Sequence, residues 1–531
     1  MLNLLLFSCA RVGAPNGGTR DSLAPKFLGS NIDTTRLNVS RTVKELRLDF
    51  DEYVMLKDFN KNFNVSPPIK KIKKVIPSNL ANKYVLIQWE DTLQANTTYN
   101  FNFGNAIVDN NESNPLPYFN FAFSTGDKID DLFVSGTVKD AMTLIKENQT
   151  AKDNKMVVGL YKAGENLDYK QKPDYITKVD EENYFELNFL PKGEFVIIAF
   201  DDENQNSVYD AGKEKVSFLK EKITLDSTSV RGLKLKLYPS KKVVKYKESK
   251  AINGGLLMTF EGNPETVDVK SLSEELKDFK VTHAKRSDSV NIWFDAEKSN
   301  LGGTVSKQVK LSYFTPTISD TISVSYKAVK DEFKLSNEAG NLIAPENNFV
   351  INTSLPIENL NTSSWKLESD SIAQDFTAKI SEKNPFKILV NSSFKPTKKY
   401  VLTIPKETVS SYYSSNDKSF QFQFEIDKPE NYGSFTAVIK NKPTAKFWVE
   451  LTNEKGEILY SQFTNASEVS FKNLKPATYI ARIRVDNNGN GFWDEADFAQ
   501  NIAAEDVYIF EKEINVRPLW EIKEDWELTN H

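Results

Sequence analysis

Two stretches of the chain carry acidic and amide side chains at alternate positions, a pattern able to hold a hard cation. In one, Asp486, Asn488, Asn490, Asp494 and Asp497 occupy positions 1, 3, 5, 9 and 12 of a loop, with Gly491 at position 6. Alternate residues point inward, glycine permits the sharp turn and position 12 offers a carboxylate, which is the oxygen-ligand spacing of a Ca2+ loop. The other stretch keeps Asp202, Asn204, Asn206 and Asp210, but Ser207 stands in the place of the glycine and Lys213 in that of the last carboxylate. It is the weaker candidate. Asn and Asp have a plainer use as well, since they bond their own backbone in Asx-turns and so hold a connection between strands without any ion. No helical pattern flanks either loop, which excludes an EF-hand.

The remaining chemistry is sparse. The histidines are His283 and His531, too few for a His-rich zinc site, and His283 lies in a strand-like stretch with no partner motif. No G-x-S-x-G, phosphate-binding loop or dinucleotide fingerprint occurs. The carboxylate pairs Asp130-Asp131 and Asp201-Asp202 are adjacent, which sends them to opposite faces of a strand and suits acid/base catalysis poorly. No catalytic residue is named on these grounds, and the chain reads as a non-enzyme. With 68 Lys+Arg against 73 Asp+Glu, the formal net charge is -5, so nothing draws the chain to nucleic acid.

The elements that must position the two loops are repeated with them. Leu190, Phe195, Asp202, Asn204, Asn206, Tyr209 and Asp210 recur as Leu474, Tyr479, Asp486, Asn488, Asn490, Trp493 and Asp494, all at an offset of 284. One structural unit is therefore used twice. Tyr209 and Trp493 precede the last shared carboxylate in each copy, either as binding platforms for sugar or peptide or as plugs that pin the loop to its own sheet. The 35 Phe, 20 Tyr and 7 Trp, set among short runs rich in Val, Ile and Thr, favour strands.

A length of 531 residues exceeds what one core can serve. The pattern predicts an all-β chain of tandem Ig-like and transthyretin-like β-sandwich domains: a tether over 1–21, then 22–126, 131–240, a β domain of uncertain type at 250–343, 344–427 and 430–520. Residues 43–50 alternate with a period of two before Asp51-Glu52-Tyr53-Val54 breaks the pattern. Gly136 inside an apolar strand marks a bend or bulge. Residues 241–250 read as a charged junction.

Three resemblances add to this reading. Asp21-Ser22-Leu23-Ala24-Pro25, residues 48–54, 93–99 and Phe121-Ala122-Phe123-Ser124-Thr125-Gly126 resemble the SbsA-type Ig-like family of bacterial envelope proteins. Residues 189–195 and the acidic loop behind them resemble carboxypeptidase-regulatory and transthyretin-like domains. Leu4-Leu5-Leu6-Phe7-Ser8 before Cys9, with Gly13, Pro15, Gly17 and Gly18 behind it, resembles the tail of a lipoprotein signal, which implies lipidation of Cys9. Together the segments resemble lipoproteins of Bacteroidota that open with an Ig-like domain. That likeness implies a repeat-built cell-envelope lipoprotein at the outer membrane, with the periplasmic face favoured because Ala10-Arg11-Val12 is not the acidic run associated with surface display. The implied role is a scaffold or adaptor for envelope proteins. The alternative is a carbohydrate-binding or polysaccharide-processing accessory protein.

Overall fold

The computed structural model describes residues 21–144, 155–164, 168–329, 332–338 and 340–528. Cys9, and with it the expected lipid anchor, lies outside them. The protein is all-β and built of tandem sandwiches. Among the described residues the only α-helix is the four-residue Phe59–Asn62, and no helix is long and apolar enough to cross a membrane. The described residues of 1–139, 149–210 and 216–237 form one compact unit, and those of 140–148, 211–215 and 238–531 form another.

The first unit opens with a sheet ordered Phe27–Ser30, Glu45–Leu56, Asn82–Trp89, Ile72–Ile76, facing a second of Asn64–Ser66, Thr98–Gly104 and Phe119–Ser124. Period-two alternation sends Leu46, Leu48 and Phe50 inward against Phe101, Phe103, Phe121 and Phe123. The expected break at Asp51–Val54 is a register shift within a strand that continues to Leu56, not the end of the strand. Leu56 then finds a new partner in Ile107.

The next sandwich of this unit has Tyr184–Leu190, Leu132–Asp140 and Val230–Leu237 in one sheet. Its other sheet runs Tyr175–Lys178, Met156–Lys162, Gly193–Asp201, Val216–Phe218. Gly136 is not a bulge: it pairs in register with Phe185, and a Cβ there would sit 2.1 Å from the Leu233 carbonyl oxygen. Close approach of two backbones, rather than a bend, demands glycine.

The second unit holds three buried clusters, centred on Leu256 to Tyr326, Trp293 to Ile426 and Phe435 to Leu528. Residues 245–250, expected within a junction, belong to the strand Lys245–Ile252, an outer strand paired along Gly255–Glu261. Its lysines fit that position, because an outer strand exposes one edge to water and charge there discourages unwanted pairing. The last cluster lies between Glu468–Leu474, Gly433–Lys440, Glu521–Glu527 on one side and Ile458–Thr464, Phe447–Thr452, Ala477–Val485, Val507–Val516 on the other.

The repeat is visible strand for strand. Tyr184–Leu190 and Gly193–Asp201 become Glu468–Leu474 and Ala477–Val485, with both ends of both strands displaced by the same 284 positions. Even the left-handed residue next to the end of the first strand recurs, at Phe189 (φ 60°) and Asn473 (φ 53°). Leu190 and Leu474, then Phe195 and Tyr479, are buried at matching places in the two cores.

Candidate functional site

Each loop begins where the second repeated strand ends, and its first carboxylate organises it. Asp486 is buried; its Oδ1 accepts from the Asn490 N–H (3.0 Å) and its Oδ2 from the Gly491 N–H (3.0 Å). Asp202, equally buried, accepts from the Asn206 N–H (3.0 Å) and the Ser207 N–H (3.1 Å) in the same way. Asn488 Oδ1 and Asn204 Oδ1 each accept a second bond from those same Asn490 and Asn206 N–H groups. Asn490 Oδ1 and Asn206 Oδ1 accept from the N–H two residues on, at Phe492 and Val208. The Asx-turn expectation thus describes both loops bond for bond.

The glycine difference does not change the backbone. Positions 4 and 6 are left-handed in both loops: Gly489 (φ 73°) and Gly491 (φ 81°) in one, Gln205 (φ 59°) and Ser207 (φ 62°) in the other. The side-chain bonds over-determine the turn, so two non-glycine residues are held where an L-residue is disfavoured by about 1–2 kcal/mol.

The far end of the second loop is fixed by residues that its spacing did not reveal. The amide groups of Asn488 (2.5 Å) and Asn490 (2.7 Å) both donate to Asp494 Oδ2, while Arg286 Nη1 meets Asp494 Oδ1 at 2.7 Å. Burial pushes the Asp494 carboxyl up, but the two amides and the Arg286 guanidinium outweigh it and hold the group below its ordinary value. Glu505, buried behind the loop, accepts from the Asn488 N–H (3.1 Å) and the Asp494 N–H (3.0 Å); burial pushes its carboxyl up. Asp497 turns elsewhere: its side chain caps the 3₁₀ turn Phe498–Gln500 by accepting from the Gln500 N–H (3.2 Å). In the first loop, Asn204 Nδ2 donates to Asp210 Oδ2 (2.6 Å), the same bond as in the second.

This arrangement bears directly on a cation. Calcium needs oxygens converging on one point, whereas the amides of Asn488 and Asn490 turn their NH2 groups toward Asp494 and commit their oxygens to backbone N–H groups. Both amides would have to rotate, and Asp494 would have to exchange Arg286 for the ion. Among the described residues no group of three or more His, Cys, Asp and Glu side chains is placed to hold a metal.

The two loop aromatics differ in their surroundings. Tyr209 is buried against Phe200, ring centroids 6.0 Å apart. Trp493 donates its indole N–H to the Glu505 carbonyl (3.1 Å) and lies 6.4 Å from the Tyr238 ring. The Arg484 guanidinium sits 5.8 Å from the Trp493 ring and 5.9 Å from that of Trp448, which in turn stacks on Phe463 at 4.4 Å. Arg484 is held in place by Glu450, a fully buried carboxylate that takes Arg482 on one oxygen and Arg484 on the other. This cation–aromatic ladder ties the loop to the outer face of its own sheet. Glu450 and Arg482 stand at outward positions of period-two strands, the one signal in the sequence that could have found them.

The second loop also reaches another sandwich of its unit. Besides the ion pair with Asp494, Arg286 stacks over Phe492 at 4.7 Å and Lys285 at 5.1 Å. The Ala496 N–H donates to the Pro239 carbonyl (3.1 Å), and the Lys241 N–H donates to the Ala496 carbonyl (2.8 Å). His283, nearby in sequence, has Nε2 3.0 Å from the Ser287 carbonyl oxygen within its own strand pair.

Among solved structures the chain is similar to the S-layer protein rSbsC(31-844), at 12% identity over 93% of this chain and 67% of that one, TM-score 0.15. It is similar to SGBP-B of the Bacteroides ovatus mixed-linkage glucan utilization locus, at 9% identity over 73% and 94%, TM-score 0.19. It is similar also to the Bacillus anthracis TIE protein, at 11% identity over 97% and 76%, TM-score 0.13. Scores this low carry no argument about this chain. No curated protein matches it. One segment does meet a family model: residues 21–125, the span of the first pair of facing sheets, match the bacterial Ig-like domain Big_5.

Proposed function

We propose that the protein is a non-enzymatic scaffold or adaptor of the cell envelope, anchored by lipid at Cys9, whose sandwiches offer binding surface to other envelope proteins. The observation that carries this reading is the fastening of the Asp486–Asp494 loop to Arg286 and to residues 239–241. It fixes two sandwiches that are remote in sequence against each other, and fixed spacing suits a scaffold better than free tandem modules do. Affinity purification from the native membrane tests it. A stoichiometric protein partner is expected; recovery of the chain alone would count against the scaffold. Palmitate labelling tests the anchor separately, with label expected on the wild type and absent from Cys9→Ser.

A carbohydrate-binding role draws on one observation, the exposure of Phe463 beside Trp448. Against it, Trp448 has Phe463 on one side and Arg484 nearby, so little indole face is offered to a sugar. Retardation on glucan-containing native gels that is lost in Phe463→Ala would favour this alternative.

A further inference from the structure

Ile458–Thr464 is the outer strand of the four-stranded sheet in the C-terminal sandwich and, among the described residues, pairs only along Phe447–Thr452. Five of its seven residues are exposed. Its sequence, ILYSQFT, contains no charge, proline or glycine, whereas every other outermost strand of seven or more described residues carries at least one Lys, Arg, Asp or Glu. Charge is the usual protection of an open edge. Here three of the five exposed positions are apolar and the other two, Ser461 and Gln462, are uncharged: Ile458 is 46%, Leu459 49% and Phe463 44% exposed.

The repeat shows what this position is used for. Its counterpart, Tyr175–Lys178, pairs along Met156–Lys162 just as Ile458–Thr464 pairs along Phe447–Thr452. That strand is almost wholly buried, and the Ile176 N–H donates to Ser66 Oγ (3.3 Å) on the strand Asn64–Ser66 of the preceding sandwich. In one copy of the repeat, therefore, another sandwich covers the edge. In the other copy no strand among the described residues pairs with the edge.

We propose that Ile458–Thr464 pairs antiparallel with the same strand of a second copy of this chain, the two-fold axis passing through Ser461. In that register Leu459 lies opposite Phe463 of the partner subunit, and Tyr460 lies opposite Gln462 of the partner subunit. Both pairs are uncharged, and an apolar pair directly opposed across antiparallel strands stabilises them. A self-pairing edge brings each charge near its own copy, so a strand without charges has nothing to repel. The pairing uses up the edge on both copies and closes as a dimer. This goes beyond the scaffold reading, which a monomer with a different partner would equally satisfy.

The test uses the full chain carrying Cys9→Ser, so that neither lipid nor disulfide mediates association, in sedimentation velocity over a concentration series. A discrete species of twice the monomer mass is expected. Ser461→Lys and Ser461→Glu should each lose it, because the substitution sets like charges against each other on the axis, and an equimolar mixture of the two should restore it. That rescue separates edge pairing from misfolding. A monomer at every concentration, a broad size distribution without a dimer, a dimer indifferent to both variants or a mixture that fails to re-form it would each overturn the proposal.

Discussion

The Asp202–Asp210 and Asp486–Asp494 loops share their hydrogen bonds but not their glycines, and the difference separates what forms the turn from what eases it. In both, a buried aspartate collects two backbone N–H groups and two asparagines close the remaining turns. Glycine occupies the left-handed positions in one copy, while Gln205 and Ser207 occupy them in the other. The carboxylate therefore forms the turn, and glycine only lowers its cost. The second loop differs further in Arg286, which ties it to another sandwich.

The largest expected effect breaks what the loops share. Asp486→Ala and Asp202→Ala each leave two backbone N–H groups without their charged acceptor, at a cost of about 3 kcal/mol of local stability. Hydrogen exchange at Asn490 and Gly491, or at Asn206 and Ser207, should accelerate on the order of a hundredfold. Equal exchange in variant and wild type would show that the backbone alone forms the turn.

Smaller substitutions sharpen the difference. Arg286→Ala should cost about 1 kcal/mol, the scale of a partly exposed ion pair, and should speed exchange at the Lys241 and Ala496 N–H groups while leaving the Asp202 loop untouched. Exchanging the glycine chemistry should act in opposite directions. Gly491→Ser should destabilise its loop by about 1 kcal/mol, since no neighbour lies within 4 Å of the new Cβ and only the left-handed backbone objects. Ser207→Gly should stabilise the other by roughly 0.5 kcal/mol, the relief of strain being partly offset by unfolded-state entropy. A destabilising Ser207→Gly would mean that the Ser207 side chain, not the Asp202 bonds, supports its turn.

Acid should loosen the second loop through Asp494. Its folded carboxyl lies below the ordinary value of 3.8, so the stability contributed by ionisation is fully present above about pH 4 and is lost as pH falls through the lowered value. Asp494→Asn should flatten that loss in exchange measured from pH 5 downward, and an unaltered profile would assign the acid sensitivity to another group. Calcium should have the smallest effect. Protection at Asn490 and Gly491 is expected to be equal in calcium and in chelator, because Asp494 is already met by two amides and Arg286 and Asp497 caps a 3₁₀ turn. A calcium-dependent rise would show that the ion displaces the guanidinium.

Local chemistry makes much of this legible in the sequence. The 284-residue offset reappears as strand ends, a left-handed residue and loop bonds, because Asx-turns and period-two alternation depend on neighbours along the chain. Tertiary packing decided the rest. Glu505 and Arg286 reach the loop from 11 and 208 positions beyond Asp494 in opposite directions, distances at which no spacing rule operates. Gly136 is required by Leu233 on the neighbouring strand of its own sheet, and residues 245–250 became a strand because Gly255–Glu261 was there to pair with them. Sequence alone could determine the loop's own bonds, since its donors and acceptors lie within a few residues. Only the folded chain could choose which distant charge would meet Asp494, because that choice depends on which surfaces the sandwiches bring together.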